Sequence, residues 1–214
     1  MTSKNIILSI LLVLFYSASA FASRPKLPLS LSISSTRNLN AADEVHDHYR
    51  DGNPGIRLDL DLKLISVGRQ LGGLKLTGGI EHYLREGVHW TPIMDGALTI
   101  DQRQTHTLYR LGIKFDYSLS RLVFSIGLGG IRDGFDYEYT RYSIPGTWSD
   151  VVYGYYGGFE IDYVFPSLIM FVLRGEYDQI QDYSVATADI IPNYTDGFIP
   201  MKGKNISVGI RFFY

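Results

Sequence analysis

One run of the chain, Ile56-Arg57-Leu58-Asp59-Leu60-Asp61-Leu62-Lys63-Leu64-Ile65, restricts the fold more than any other. Aliphatic residues hold every even position through Leu64 and a charge stands between each pair of them. That period of two belongs to a strand with two unlike faces. Wound as a helix, the same residues would scatter Arg57, Asp59, Asp61 and Lys63 around the cylinder and leave no apolar stripe. The pattern requires a two-faced strand. It leaves open which face meets water.

The rest of the chain repeats the alternation. Leu29, Leu31 and Ile33 alternate with Ser30, Ser32 and Ser34 to predict a first strand, and the opening run is the second. Leu74, Leu76, Ile80 and Leu84 predict a third, and Tyr109, Leu111, Ile113, Phe115 and Tyr117 a fourth. Leu122, Phe124, Ile126 and Leu128 form a fifth, opposite the small residues Ser125, Gly127 and Gly129. Val151, Tyr153, Tyr155, Phe159, Ile161 and Tyr163 mark the sixth. Ile169, Phe171, Leu173 and Tyr177 mark the seventh, and Ile206, Val208, Ile210, Phe212 and Tyr214 the eighth. Polar segments at Thr36–Pro54, Glu86–Gln104, Arg132–Asp150 and Gln179–Met201 are expected to be long loops. Brief returns are expected near Val67–Gly73, Ser118–Ser120 and Pro166-Ser167. Long and short connections therefore alternate, which in an up-and-down arrangement gathers every long loop at one end.

At 214 residues the length suits one domain. With no cysteine, stability must come from sheet closure or core burial, not from disulfides. A formal net charge of -2 provides no basic field for nucleic acid. Residues 1–22 have the form of a secretory signal peptide: Lys4, an apolar run from Ile6 to Tyr16, and small residues before a cleavage site expected after Ala22. Residues 23–214 are then the mature domain, with export to the periplasm as the first step.

The face opposite the apolar one carries Arg57, Lys63, Lys75, Arg85, Arg110, Lys114, Arg174 and Arg211 against Asp59, Asp61, Glu81, Asp116, Glu160, Asp162, Glu176 and Asp178. The apolar face is nearly free of charge, with Tyr117, Tyr163, Phe165 and Tyr214 towards the short turns and Tyr109, Tyr153 and Tyr177 towards the loops. Aromatic girdles bracketing an aliphatic band are what a lipid-facing wall requires. The expectation is an all-β, eight-stranded antiparallel up-and-down transmembrane barrel, leucines in lipid and charges paired at the axis. Unpaired charges there would be prohibitive, and a barrel this size is narrow enough for side chains to fill. The glycines at 127, 129, 154 and 158 would make room for long Arg and Glu side chains. A soluble barrel of lipocalin type would invert the two faces.

The signal segment, the eight alternating strands and the terminal Ile206-Ser207-Val208-Gly209-Ile210-Arg211-Phe212-Phe213-Tyr214 resemble the small outer-membrane β-barrel proteins of Gram-negative bacteria, of the OmpA transmembrane-domain and OmpX type. The resemblance implies location in the outer membrane, contact with its lipid, and delivery by the barrel-assembly machinery. Val208, Ile210, Phe212 and Tyr214 would be its recognition signal, with Tyr214 where Phe is more usual. It implies a monomer with a structural or surface-interaction role, and no cofactor. A narrow ion or solute channel and a lipid A-modifying enzyme are the alternatives in the same group. The deacylases of that group place a Ser two residues after a His, and here Leu84 follows His82 at that spacing. Glu44, His46, Asp47 and His48 have no recognised metal spacing and suit a solvated loop. Trp90, Tyr137, Tyr139, Tyr142, Trp148, Tyr183, Tyr194 and Phe198 in the expected loops could anchor a surface ligand or extend the outer girdle.

Overall fold

A computed structural model describes residues 29–39, 55–66, 72–93, 96–141, 144–165, 169–181 and 202–213. They form eight strands: β1 Leu29–Asn38, β2 Gly55–Ser66, β3 Gly73–Ile93, β4 Gly96–Leu119, β5 Leu122–Arg141, β6 Ile144–Val164, β7 Ile169–Ile180 and β8 Gly203–Phe213. Each pairs antiparallel with its sequence neighbours, and β1 pairs with β8, so the sheet closes into a barrel. Closure gives every spanning strand a partner on both sides and leaves no edge where the wall is continuous. Residues 1–28, which contain the expected signal peptide, lie outside the described residues. So do Glu44, His46, Asp47, His48 and Tyr214, and most of the first and last expected loops.

The two faces divide as the alternation requires. Arg57, Asp59 and Asp61 are buried, while Leu58, Leu60 and Leu62 are 46%, 48% and 39% exposed, so the leucines line the outside. Ile126 and Leu128 on β5 and Leu111 on β4 continue the apolar wall. Phe212 has their parity, yet it is buried where Ile206, Val208 and Ile210 are exposed.

Two expected loops are strand. Glu86–Gln104 belongs to a β3–β4 ladder that runs unbroken to Ile93↔Gly96, and Arg132–Asp150 to a β5–β6 ladder that runs to Arg141↔Ile144. The outward apolar series stops near Leu128, and beyond it the inward positions Ile131, Phe135 and Tyr137 are the apolar ones. This change of phase interrupts the one-sided pattern without interrupting the strand. At the opposite end, Leu119 pairs with Leu122 across a two-residue turn in which Ser120 takes a positive φ of 57°.

Inside the barrel, Gly112 faces Gly129 across the β4–β5 ladder and the side chain of Tyr156 lies over both. A Cβ on Gly129 would stand 2.3 Å from the Leu111 carbonyl oxygen and 2.7 Å from the Tyr156 ring. The glycine thus makes room for a tyrosine here, whereas Gly127 and Gly158 accommodate Lys114 and Glu176. Gly129→Ala is expected to lower stability by about 1–3 kcal/mol through overpacking, measured as a shift of the urea unfolding midpoint of the lipid-reconstituted protein.

Candidate functional site

Inward parity brings charges from six strands to one axis. Arg57 on β2 donates to Asp59 at 2.9 Å and forms a two-pronged pair with Glu176 on β7. Arg110 on β4 donates from Nε to Glu81 at 2.9 Å and holds both oxygens of Asp178 at 2.9 and 2.5 Å. Such planar, bidentate contacts suit guanidinium better than an ammonium. Arg174 spans Glu160 at 2.5 Å and Asp59 at 2.8 Å. Lys114 lies 3.3 Å from Asp61 and 3.4 Å from Glu160. Arg211 on β8 meets Glu160 at 2.6 Å, Asp61 at 3.3 Å and Asp162. Lys75 pairs with Asp116 at 2.5 Å. Arg57 and Arg110 reach strands that are not their sheet neighbours, so the network ties opposite walls together.

Buried carboxylates outnumber buried Lys and Arg among the described residues, and neutral donors supply the difference. Tyr83 donates to Glu81 at 2.5 Å, Asn205 to Asp178 at 2.6 Å and Ser125 to Asp116 at 2.8 Å. A buried carboxylate needs several donors and not only one opposite charge.

Lys63, expected in this network, stands outside it. It is exposed near the end of β2, where the register shifts between Lys63 and Ile65, and its ladder partner is the like-charged Lys75. Lys75 turns to Asp116 instead. The side chain of Arg85 lies outside the described residues. Of the expected C-terminal signal, Val208 and Ile210 face outward and Phe212 is buried.

Above the charges sits an apolar tier that the sequence pattern concealed. Tyr83, Leu108, Ile131, Phe135, Tyr137, Val152, Tyr156 and Ile180 form one buried cluster, with Trp148 packed on it. Tyr156 joins the tiers, since Arg110 lies 5.3 Å from its ring centre. His106 and Asp133, both fully buried, bond at 2.9 Å beside Phe135. His82 is on the outer wall, where its Nδ1 meets Thr107 Oγ1 at 3.1 Å across the β3–β4 ladder. A Thr on the neighbouring strand thus replaces the Ser sought two residues along. Among the described residues the Thr107 hydroxyl is the hydrogen-bond partner of the His82 ring.

Glu160 is the junction of the lower tier because three cations converge on it. Glu160→Gln would leave Arg174, Arg211 and Lys114 short of one negative charge in a buried site. The expected loss is about 3–5 kcal/mol. Lys63→Ala, in water at the strand end, is expected to change stability by less than about 0.5 kcal/mol. Urea unfolding of the two variants in the same lipid checks both values.

No protein-family model matches the chain, and no curated protein matches it in sequence. Solved structures do. A major outer membrane protein from Thermus thermophilus is similar with a TM-score of 0.55 at 13% identity, over 87% of this chain and 99% of that one. The attachment invasion locus protein Ail of Yersinia pestis is similar with a TM-score of 0.47 at 10% identity, over 87% of this chain and 96% of that one. The N-terminal β-barrel domain of Pseudomonas aeruginosa OprF gives 0.46 at 9% identity, over 89% and 100%. The chain is a closed eight-stranded barrel, and at 13% identity its likeness to the Thermus thermophilus outer membrane protein is one of fold.

Proposed function

We propose that the chain is an outer-membrane barrel that presents a rigid sheet for surface interaction and performs no catalysis. One observation carries the reading. β3, β4, β5 and β6 continue together past the level where the barrel is closed. β2 pairs with β3 only as far as His82, and β7 pairs with β6 only from Gly154 onward. Beyond those points four strands form a sheet with two lateral edges that, among the described residues, no further strand covers. Edge backbone groups can add a strand from another chain, a common mode of peptide and protein recognition.

The wall below supports the membrane part of the reading. Leu122 to Arg132 spans roughly 23 Å along the axis at about 3.3 Å per residue and a tilt near 45°, close to the apolar height of an outer-membrane barrel. Tyr163 and Phe165 meet edge to face at 5.1 Å at its lower end. In this setting Val208, Ile210, Phe212 and Tyr214 are the segment offered to the barrel-assembly machinery, and the protein is a monomer in lipid. The paired interior and the apolar tier above it argue for an anchor and against a conducting channel.

Replacing residues 87–102 and 138–147 by two-residue turns removes the sheet tips while keeping Phe135, Tyr137 and Trp148. The shortened protein is expected to retain heat-modifiable migration and insertion into liposomes, and to lose at least fivefold in binding of expressing cells to host-cell or matrix surfaces. Unchanged binding would refute the surface role. Single-channel steps in planar bilayers would favour the channel, and fatty-acid release from lipopolysaccharide that is lost in His82→Ala would favour the enzyme.

A further inference from the structure

The two edges of the protruding sheet are not equivalent. In an antiparallel sheet each residue directs its N–H and its C=O to the same side, and successive residues alternate between the two sides. The Gln181 N–H bonds the Tyr153 carbonyl at 2.9 Å, so the odd-numbered residues of β6 turn their backbone groups towards β7 and, beyond Tyr153, towards the free edge. The β5–β6, β4–β5 and β3–β4 ladders run without a register shift. Carried across them, the same alternation turns the even-numbered residues of β3 away from β4. His82 is the last of these that β2 covers.

Beyond it, Leu84, Glu86, Val88 and Trp90 each present an N–H and a C=O to the free edge of β3, and Pro92 ends the run because it has no N–H. The equivalent positions on β6 are Val151, Ser149, Thr147 and Pro145. Pro145 again offers no N–H, and the Val151 N–H is taken by Asp150 Oδ1 at 2.7 Å. Among the described residues two edge donors remain on β6 against four on β3. The difference has a physical use. Copies in one membrane stand the same way up, and β3 and β6 run in opposite directions. Thus β3 of one copy would pair antiparallel with β6 of the next and start an open-ended row. A β6 edge interrupted by a proline and a carboxylate cap blocks that row, by the devices that protect edge strands elsewhere. It leaves β3 for a strand from another source.

We propose that β3 alone takes the partner: an extended segment of another polypeptide, outside the cell, adds antiparallel to Leu84–Trp90 as a fifth strand of the protruding sheet. Recognition is main chain to main chain over about seven residues, or roughly 23 Å at 3.3 Å per residue. The partner segment must therefore be extended, about that long, and free of proline at the positions that donate. A helix has spent its backbone groups on itself and offers no such row.

The inference rests on the surface role proposed above, and the test separates the two. The full chain in detergent micelles is given a peptide of alternating Thr and Val with a Lys at each end, and amide exchange is followed residue by residue by NMR. At saturating peptide, exchange at Glu86, Val88 and Trp90 is expected to slow at least tenfold, and exchange at Thr147 and Ser149 to change less than twofold. The same peptide methylated at every backbone nitrogen should slow none of them. Val88→Pro removes an edge-facing N–H and no ladder bond, and should weaken peptide binding at least tenfold. Ser149→Pro, the same change on β6, should stay within twofold of wild type. Protection at Thr147 and Ser149 in place of β3, no slowing on β3, equal binding of the methylated peptide, or a Val88→Pro variant within twofold of wild type would each overturn the site. The exchange comparison uses the unmodified protein, so it decides the matter even if Val88→Pro does not fold. Expressing cells that lose surface binding when the sheet tips are removed, yet keep it with Val88→Pro, would overturn the β3 site alone. Binding indifferent to removal of the tips would overturn the surface role and the site with it.

Discussion

The β1–β8 ladder is the constraint from which the other features follow. Ser30↔Phe213 through Asn38↔Asn205 join the first strand to the last, and a closed ladder has no place for a slip. Shifting one strand by one residue would exchange its faces and carry charges onto the wall. Parity is therefore fixed all round the barrel at once. Once Leu58 faces outward, Arg57 must face inward, and the same choice is imposed on Arg110, Glu160, Arg174 and Arg211 by pairing with their neighbours.

That choice makes the ionic interior a requirement and not an ornament. A charge at the axis has little water to turn to, so each must find partners within reach of its own side chain. Long arginines solve this by reaching across the barrel: Arg57 finds Glu176 and Arg110 finds Asp178, both on β7. Small residues are the other half of the solution. Serines on β1 and glycines on β5 leave the volume that guanidinium groups and the Tyr156 ring occupy. The pairing also supplies registry, because a displaced strand would leave its charges opposite the wrong sign.

The alternation in β2 sufficed to divide its residues between two faces, the charge-free aromatic face of the other strands said which one turns outward, and the eight strands lie where repeated alternation placed them. Two things were hidden for one physical reason. In the lower barrel the outward residues are apolar, as with Leu122, Phe124, Ile126 and Leu128, while above it the inward residues are, as with Ile131, Phe135 and Tyr137. A strand that passes from lipid into water must exchange its faces, so the pattern stops at Gly129-Gly130 to the eye when only its phase has changed. Asp136 and Glu138 alternating with Phe135 and Tyr137 were the available sign that Arg132–Asp150 was strand. The exposure of Lys63 had a different origin. Charge pattern placed it with Asp61, but the register shift next to Lys63 and the like charge of Lys75 opposite it are pairing facts that composition does not contain.

The change of phase also divides the labour within the molecule. Below it, the sheet gains from lipid outside and ion pairs inside; above it, the same strands behave as an ordinary two-faced sheet whose apolar side is buried in Tyr83, Leu108, Phe135, Val152 and Ile180. The upper cluster lies over the charged tier, and among the described residues the charges of that tier are buried and engaged with one another. A fold of this kind hosts many activities, and what distinguishes one member from another must then be carried by surfaces the barrel does not use for itself. In the surface role proposed above, those surfaces are the lateral edges of the protruding sheet, which lie beyond the phase boundary, the first level at which an outward side chain can be polar without a cost from lipid.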